Sequence, residues 1–130
     1  MAVTHSTAAR DAATNAVVDL LDGAGSKLVF RLSGTIGAPG TAVATLICAT
    51  PAFGASSSGT ATAGAIASDT NATGNASPVA NASLQTSGDT LAIHCAVAAS
   101  GSDIDMSNGL TVASGDTVSC SSLTYTALSA

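Results

Sequence analysis

The chain's 130 residues predict a mainly β fold: an antiparallel β-sandwich or jelly-roll-like barrel of seven to eight short strands, with one N-terminal α-helix. Three observations carry that expectation. Lys27 to Leu32 sets Leu28, Phe30 and Leu32 against Lys27, Val29 and Arg31, the period-two alternation of a half-buried strand. Val79 to Thr86 and Thr90 to Ala98 flank Ser87-Gly88-Asp89 as the two arms of a hairpin. All eight acidic residues are Asp and none is Glu, a choice that suits turns and caps better than helix interiors.

Taken in order, residues 1–24 form a tail and a helix, and residues 26–127 form the sandwich of a single domain. The helix is expected over Thr7 to Asp22, where Ala9, Ala12, Ala13, Ala16, Val17, Leu20 and Leu21 recur at steps of three and four. Ser6 or Thr4 caps it and Gly23 ends it. Arg10 in its first turn and Asp22 in its last oppose the helix dipole, which hints at partners for both elsewhere, although solvated ends of a short helix are the simpler reading.

After the Lys27 to Leu32 strand, the Gly- and Pro-rich stretch Gly34 to Gly40 turns the chain into a second strand, Thr41 to Ala49. That strand is apolar on both faces and is expected at the centre of its sheet. A weaker strand follows the Ser56 to Gly59 connection at Thr60 to Ile66, and Asp69 to Ser77 reads as an exposed loop. In the hairpin, Ala80, Ala82 and Leu84 are expected to face Leu91, Ile93, Cys95 and Val97. Short strands at Asp103 to Met106 and Leu110 to Val112 precede a long last strand, Thr117 to Ala127. Ser-Gly-Asp-Thr occurs twice, at Ser87 and Ser114, as a reused turn without a fixed repeat period.

Composition bounds the partners. Aromatic residues are 2 % of the chain and Trp is absent, so the core is built from small side chains that each remove little apolar area, at about 25 cal/mol per Å². Charged residues are 8 % of the chain, against about 25–35 % for a well-solvated small-domain surface. Much of the surface is therefore neutral and loses little side-chain entropy when ordered against a neighbour, as in an oligomer or a lattice. A net charge of −5 with three basic residues argues against nucleic acid. Residues 1–10 lack the apolar core of a signal peptide, and the uncharged stretch Leu32 to Ser68 is broken by Gly and Pro, so neither export nor a membrane span is expected.

No catalytic, cofactor or metal constellation emerges. Gly54 to Gly59 places its second glycine one residue late for a nucleophile elbow, and Gly23-Ala24-Gly25 lacks the third glycine of a dinucleotide fingerprint. Asp103 and Asp105 fall on one face of a strand about 6.6 Å apart. Asn108 and Ser114 nevertheless stand where a calcium loop needs Gly and Glu, so a solvated edge or turn is the simpler reading. His94 and His5 have no second ligand at metal spacing. Cys48, Cys95 and Cys120 lack a C-x-x-C pair and read as small buried hydrophobes, with a Cys95 to Cys120 bridge left open. The sequons at Asn71, Asn75 and Asn81 are attributed to chance in a Ser- and Thr-rich chain.

Four segments carry a resemblance: Thr4 to Arg10; Val17 to Asp22 with Lys27 to Arg31; Pro51 to Ala55; and Ser121 to Ala127. Together they resemble small virion structural proteins of tailed bacteriophages. That resemblance implies a head decoration, or cement, protein on the capsid exterior. It would be made in the host bacterial cytoplasm, bound to the major capsid protein and self-associated as a homotrimer or other homo-oligomer. A fibre or receptor-binding module contacting the host surface is the alternative. The Thr35 to Gly40 turn, His94 and Cys95 depart from the apparent relatives, so no functional residue is carried over. Interface candidates are His5 and Arg10 in the N-terminal region, Lys27 and Arg31 on the first strand, and Asn71 and Asn75 in the loop.

Overall fold

The strand with the sharpest alternation lies inside the main sheet, with a neighbour on each side. In the computed structural model, which describes residues 3–127, the chain forms α1 (Thr7–Val18), with a 3-10 turn at Asp19–Leu21, and then eight strands. These are β1 (Lys27–Arg31), β2 (Ala42–Cys48), β3 (Thr60–Thr62), β4 (Ile66–Ala67), β5 (Asn81–Gln85), β6 (Leu91–Ala98), β7 (Ile104–Asp105) and β8 (Thr124–Thr126). Six of them make one curled sheet in the order β4-β2-β1-β5-β6-β7, and β3 and β8 make a two-stranded ribbon. The fold is mainly β, with one N-terminal helix, as the sequence predicts. All strand pairs are antiparallel except β6 with β7, which is parallel.

Register follows the apolar pattern. Leu28 lies between Leu46 and Leu84, and Phe30 between Ala44 and Ala82, so one face of the sheet is continuous hydrocarbon. Val18 and Leu21 of the helical segment join this face, together with Ala52, Phe53, Ala61, Ala72, Val79, Val112 and Val118 from the segments opposite the sheet. A register shift at Phe30/Arg31 leaves Val43 unpaired against β1, where it is buried in the same core.

Several boundaries differ from expectation. The Thr60 to Ile66 strand divides between β3 and β4, which belong to different sheets. Leu110 to Val112 forms no strand, and the expected Thr117 to Ala127 strand shortens to β8 and an isolated bridge between Asp69 and Val118. In the hairpin, Ala82 and Leu84 pair with Cys95 and Ile93 as anticipated, whereas Ala80 precedes the strand and is exposed. β2 lies between β1 and the two-residue β4, so β1 holds the more central place. No helix of the described residues is long and apolar enough to cross a membrane.

Candidate functional site

Helix α1 docks through polar side chains as well as through Val18. Thr14 is 0 % exposed, and its hydroxyl donates to the Gly59 carbonyl at 2.6 Å and accepts the Ala127 N–H at 3.2 Å. The Asp11 carboxylate accepts the Gly59 N–H and the Ser56 hydroxyl, both at 2.7 Å, while Asn15 accepts the Ser56 N–H at 2.8 Å. Arg10 donates to the Ser58 carbonyl at 2.8 Å. Gly59 sits at φ +84, a conformation that favours glycine, and a side chain there would crowd the Arg10 side chain. The Gly59 N–H, then Ser56 and Arg10, hold the Asp11 carboxyl below its usual value. Arg10 thus has a structural partner in this turn, where a solvated helix end was the simpler expectation.

The consequence is a helix rotated away from the expected face: Ala13 and Val17 are half-buried and Leu21 fully buried as expected, but Thr14 and Val18 are buried beside them. Ala9, Ala12, Ala16 and Leu20, expected to face the core, lie on the exposed side, with Leu20 61 % exposed. The polar contacts decide the rotation, because leaving Thr14 or Asp11 unpaired in the contact would cost about 1–3 kcal/mol each, more than burying an alanine methyl returns.

The second surface is the outer face of the sheet, where Lys27 and Arg31 come together as their shared strand face requires. The Arg31 guanidinium donates to Ser83 Oγ at 3.1 Å, the Gly40 carbonyl at 2.8 Å and Gln85 Oε1 at 2.8 Å. Gln85 in turn donates to Asp89 at 2.9 Å, and Lys27 pairs with the same Asp89 oxygen at 2.8 Å. Lys27, followed by Gln85, holds the Asp89 carboxyl below its usual value. Two cations against one carboxylate give this face one excess positive charge in a chain of net charge −5. A shallow depression of about 290 Å³ opens there between Lys27, Arg31, Thr45 and Leu91. Further along the same face, Asn81 is 6 % exposed and its Oδ1 has no partner, and neither does His94 Nδ1. The Asn81 sequon is therefore buried.

The loop holding Asn71 and Asn75 leaves both side chains exposed but is pinned along its length. Ala72 bonds to Asp116 and Gly115, Gly74 to Val43, and Asn75 to Val112 through the backbone. At φ +68, Gly74 lies so near Ala113 and Ser114 that a side chain would collide with their backbone. The loop is a seam between β2 and the C-terminal segment as well as an exposed edge.

Beyond that seam, an open groove of about 690 Å³ runs between β7 and Thr117 to Leu123, floored by Phe30, Ile104, Val112 and Val118. Asp103, Asp105 and Asp116 border it. Each gives one oxygen to a backbone N–H at 2.9 Å, on Ala96, Ser102 and Ala113 respectively, so their first role is to close turns. Among the described residues, no group of three or more His, Cys, Asp or Glu could hold a metal ion. Cys48, Cys95 and Cys120 are free thiols, with Cys48 buried and the other two half-buried. Burial raises all three, Cys95 to about 11, so each stays protonated at neutral pH.

Of the interface candidates, Lys27 and Arg31 come together on one sheet face, Asn71 and Asn75 share one loop, Arg10 lies in the contact with Ser56 to Gly59, and His5 is half-buried ahead of α1. The helix's polar contacts with Ser56 to Gly59 and the buried Ser83 and Gln85 were not singled out in the sequence. The alternation Asn81, Ser83, Gln85, on the same strand face as Lys27, Val29 and Arg31, is the signal that could have found the second of these. Comparison with protein-family models, with curated proteins and with solved structures gave no match.

Proposed function

We propose that this chain is a non-enzymatic virion structural protein of the head-decoration type, which binds the outer surface of a tailed phage's major capsid protein lattice and stabilises the head. The observation that carries the reading is the outward stripe of apolar side chains on the helical segment. Ala9, Ala12 and Ala16 of α1 and Leu20 of the 3-10 turn after it are exposed, a surface that gains by contact with a neighbour rather than with water. Small side chains on that stripe are ordered at little entropic cost.

The charge distribution suits the same place. A net charge of −5 favours the outside of a shell over its DNA-facing side, and the excess positive charge around Arg31 offers a local contact to an acidic patch on a partner. Self-association as a homotrimer or other homo-oligomer would multiply the shell contacts. A protein that binds only the assembled shell stabilises it by mass action, by about 2.7 kcal/mol per site at a hundredfold excess over Kd.

The substitution Ala12→Asp tests this. Its stability change is expected within about ±0.5 kcal/mol, because the site is exposed. Occupancy on shells stripped of the protein should nevertheless fall at least about tenfold, equivalent to about 1.4 kcal/mol. Undiminished occupancy by Ala12→Asp would remove the helix from the shell contact. Binding of the isolated protein to host cells, with none to shells, would replace the reading by a fibre or receptor-binding module.

A further inference from the structure

The groove between β7 and Thr117 to Leu123 is apolar inside and acidic at its border. Ile104, Met106, Cys120 and Leu123 line it and are only half-buried, so they retain apolar surface that gains by leaving water. Asp103 and Asp105 border it from the β7 side and Asp116 from the start of the other side, and all three are exposed. Each gives one oxygen to a backbone N–H, while its second oxygen makes no hydrogen bond among the described residues. No Lys, Arg or His lines the groove, so three of the chain's eight carboxylates meet there without a cation. The carbonyls of Ser119, Cys120 and Ser121, which accept no hydrogen bond from the described residues, add further acceptors to the same space.

Such a groove selects its occupant by charge. A Lys or Arg side chain lays its hydrocarbon stem on apolar surface and keeps its charged head at an acidic border, where carboxylate and carbonyl oxygens accept its N–H groups. An acidic segment would be repelled, and a purely apolar one would leave the carboxylates without a counter-charge. A second copy of the chain would have to break its own contacts to supply the cation, because all three basic side chains are engaged. Arg10 is held by the Ser58 carbonyl, Lys27 by Asp89, and Arg31 by Ser83, Gly40 and Gln85.

We infer that this groove receives a segment of the shell subunit that carries Lys or Arg next to an apolar side chain. The inference rests on the shell contact in the proposed function and adds to it a second contact surface and the chemistry of the partner's segment. Binding through the groove weakens as salt rises, because the carboxylates lie at an exposed border. The apolar stripe on the helical segment has no such dependence.

The test titrates the full chain with a capped peptide of alternating lysine and leucine, with a peptide of alternating glutamate and leucine as control. The lysine peptide should shift the amide resonances of Ile104 to Met106 and Ser119 to Leu123, with an affinity that falls between about 0.05 and 0.5 M salt. The glutamate peptide should shift none. Asp103→Asn, Asp105→Asn and Asp116→Asn together remove the charge and keep an oxygen for each backbone N–H, and should weaken lysine-peptide binding about tenfold or more. Ser121→Lys, at an exposed position, sets a cation in the groove with the carboxylates intact and should have the same effect. Far-UV circular dichroism should be unchanged in both variants, and their occupancy on stripped shells should fall by a similar factor.

Equal shifts with the two peptides, or undiminished lysine-peptide binding by either variant, would overturn the groove as a site for cations. Weakened peptide binding with full shell occupancy in both variants would overturn the shell subunit as the occupant. If the unaltered chain binds the lysine peptide but no shells, the proposed function fails and the shell subunit with it, while the groove's preference for cations stands.

Discussion

The strands β2, β1, β5 and β6 and the chain from Ser100 to Ala127 have similar apolar patterning and opposite outcomes. In the first region every residue of β1 has a partner in β5, and the ladders agree with the side-chain pattern on both faces. In the second, only Ile104–Asp105 and Thr124–Thr126 are strands, although Val118, Cys120 and Leu123 still turn toward the core. Alternation decides which side chains are buried, whereas a ladder also needs an edge at the right distance. The sheet pairs its backbone strand to strand, whereas Ser119 to Ser122 make no backbone–backbone hydrogen bond with the rest of the described chain.

The largest effects should fall in the sheet. Leu28 is fully buried between Leu46 and Leu84, so Leu28→Ala should cost about 2–5 kcal/mol in urea denaturation. Leu123→Ala, at a half-buried position outside any ladder, should cost less than half as much. Equal losses would erase the distinction between the two regions.

A smaller effect is expected on the sheet's outer face. Arg31→Ala removes the donor to Ser83, Gly40 and Gln85 and should cost about 1–3 kcal/mol. Arg31→Lys should recover less than half of that, because an ammonium cannot reproduce the three directions of the guanidinium. Full recovery by Lys would mean that charge alone, rather than the forked hydrogen bonding, holds this face.

The smallest effect separates the helix dock from the sheet by pH. Asp11 and Asp89 have folded pKa values below their usual 3.8, so each contributes stability above about pH 4 that is lost as pH falls through the lowered folded value. The melting temperature should hold from pH 7 to about 5 and decline below about 4. Asp11→Asn and Asp89→Asn should each flatten part of that decline. Salt should weaken the contribution of Asp89, whose first partner is Lys27, more than that of Asp11, whose first partner is a backbone N–H. An acid limb unchanged by both substitutions would contradict these assignments.

The fold class, β1 and the β5–β6 hairpin were legible in the sequence because hydrophobic alternation and a Gly-Asp turn both act locally. The docking face of α1 was not. Its apolar stripe obeys the helical period, but the choice of inward face was made by Asp11, Thr14 and Asn15 finding partners around Ser56 to Gly59, forty-odd residues away. The long C-terminal strand was overestimated for the related reason that pairing partners do not show in a single segment's pattern. The pairing of Lys27 with Arg31 on one face was readable from period two; their shared dependence on Gln85 and Asp89 required the register of the hairpin against β1.

The most direct measurement is cryo-electron microscopy of intact particles together with copy number from quantitative gels. Hundreds of copies at the symmetry axes of the capsid, with the stripe of Ala9, Ala12, Ala16 and Leu20 against a neighbouring subunit, is the predicted result. A handful of copies at one vertex or at the tail tip, with that stripe in solvent, would contradict it.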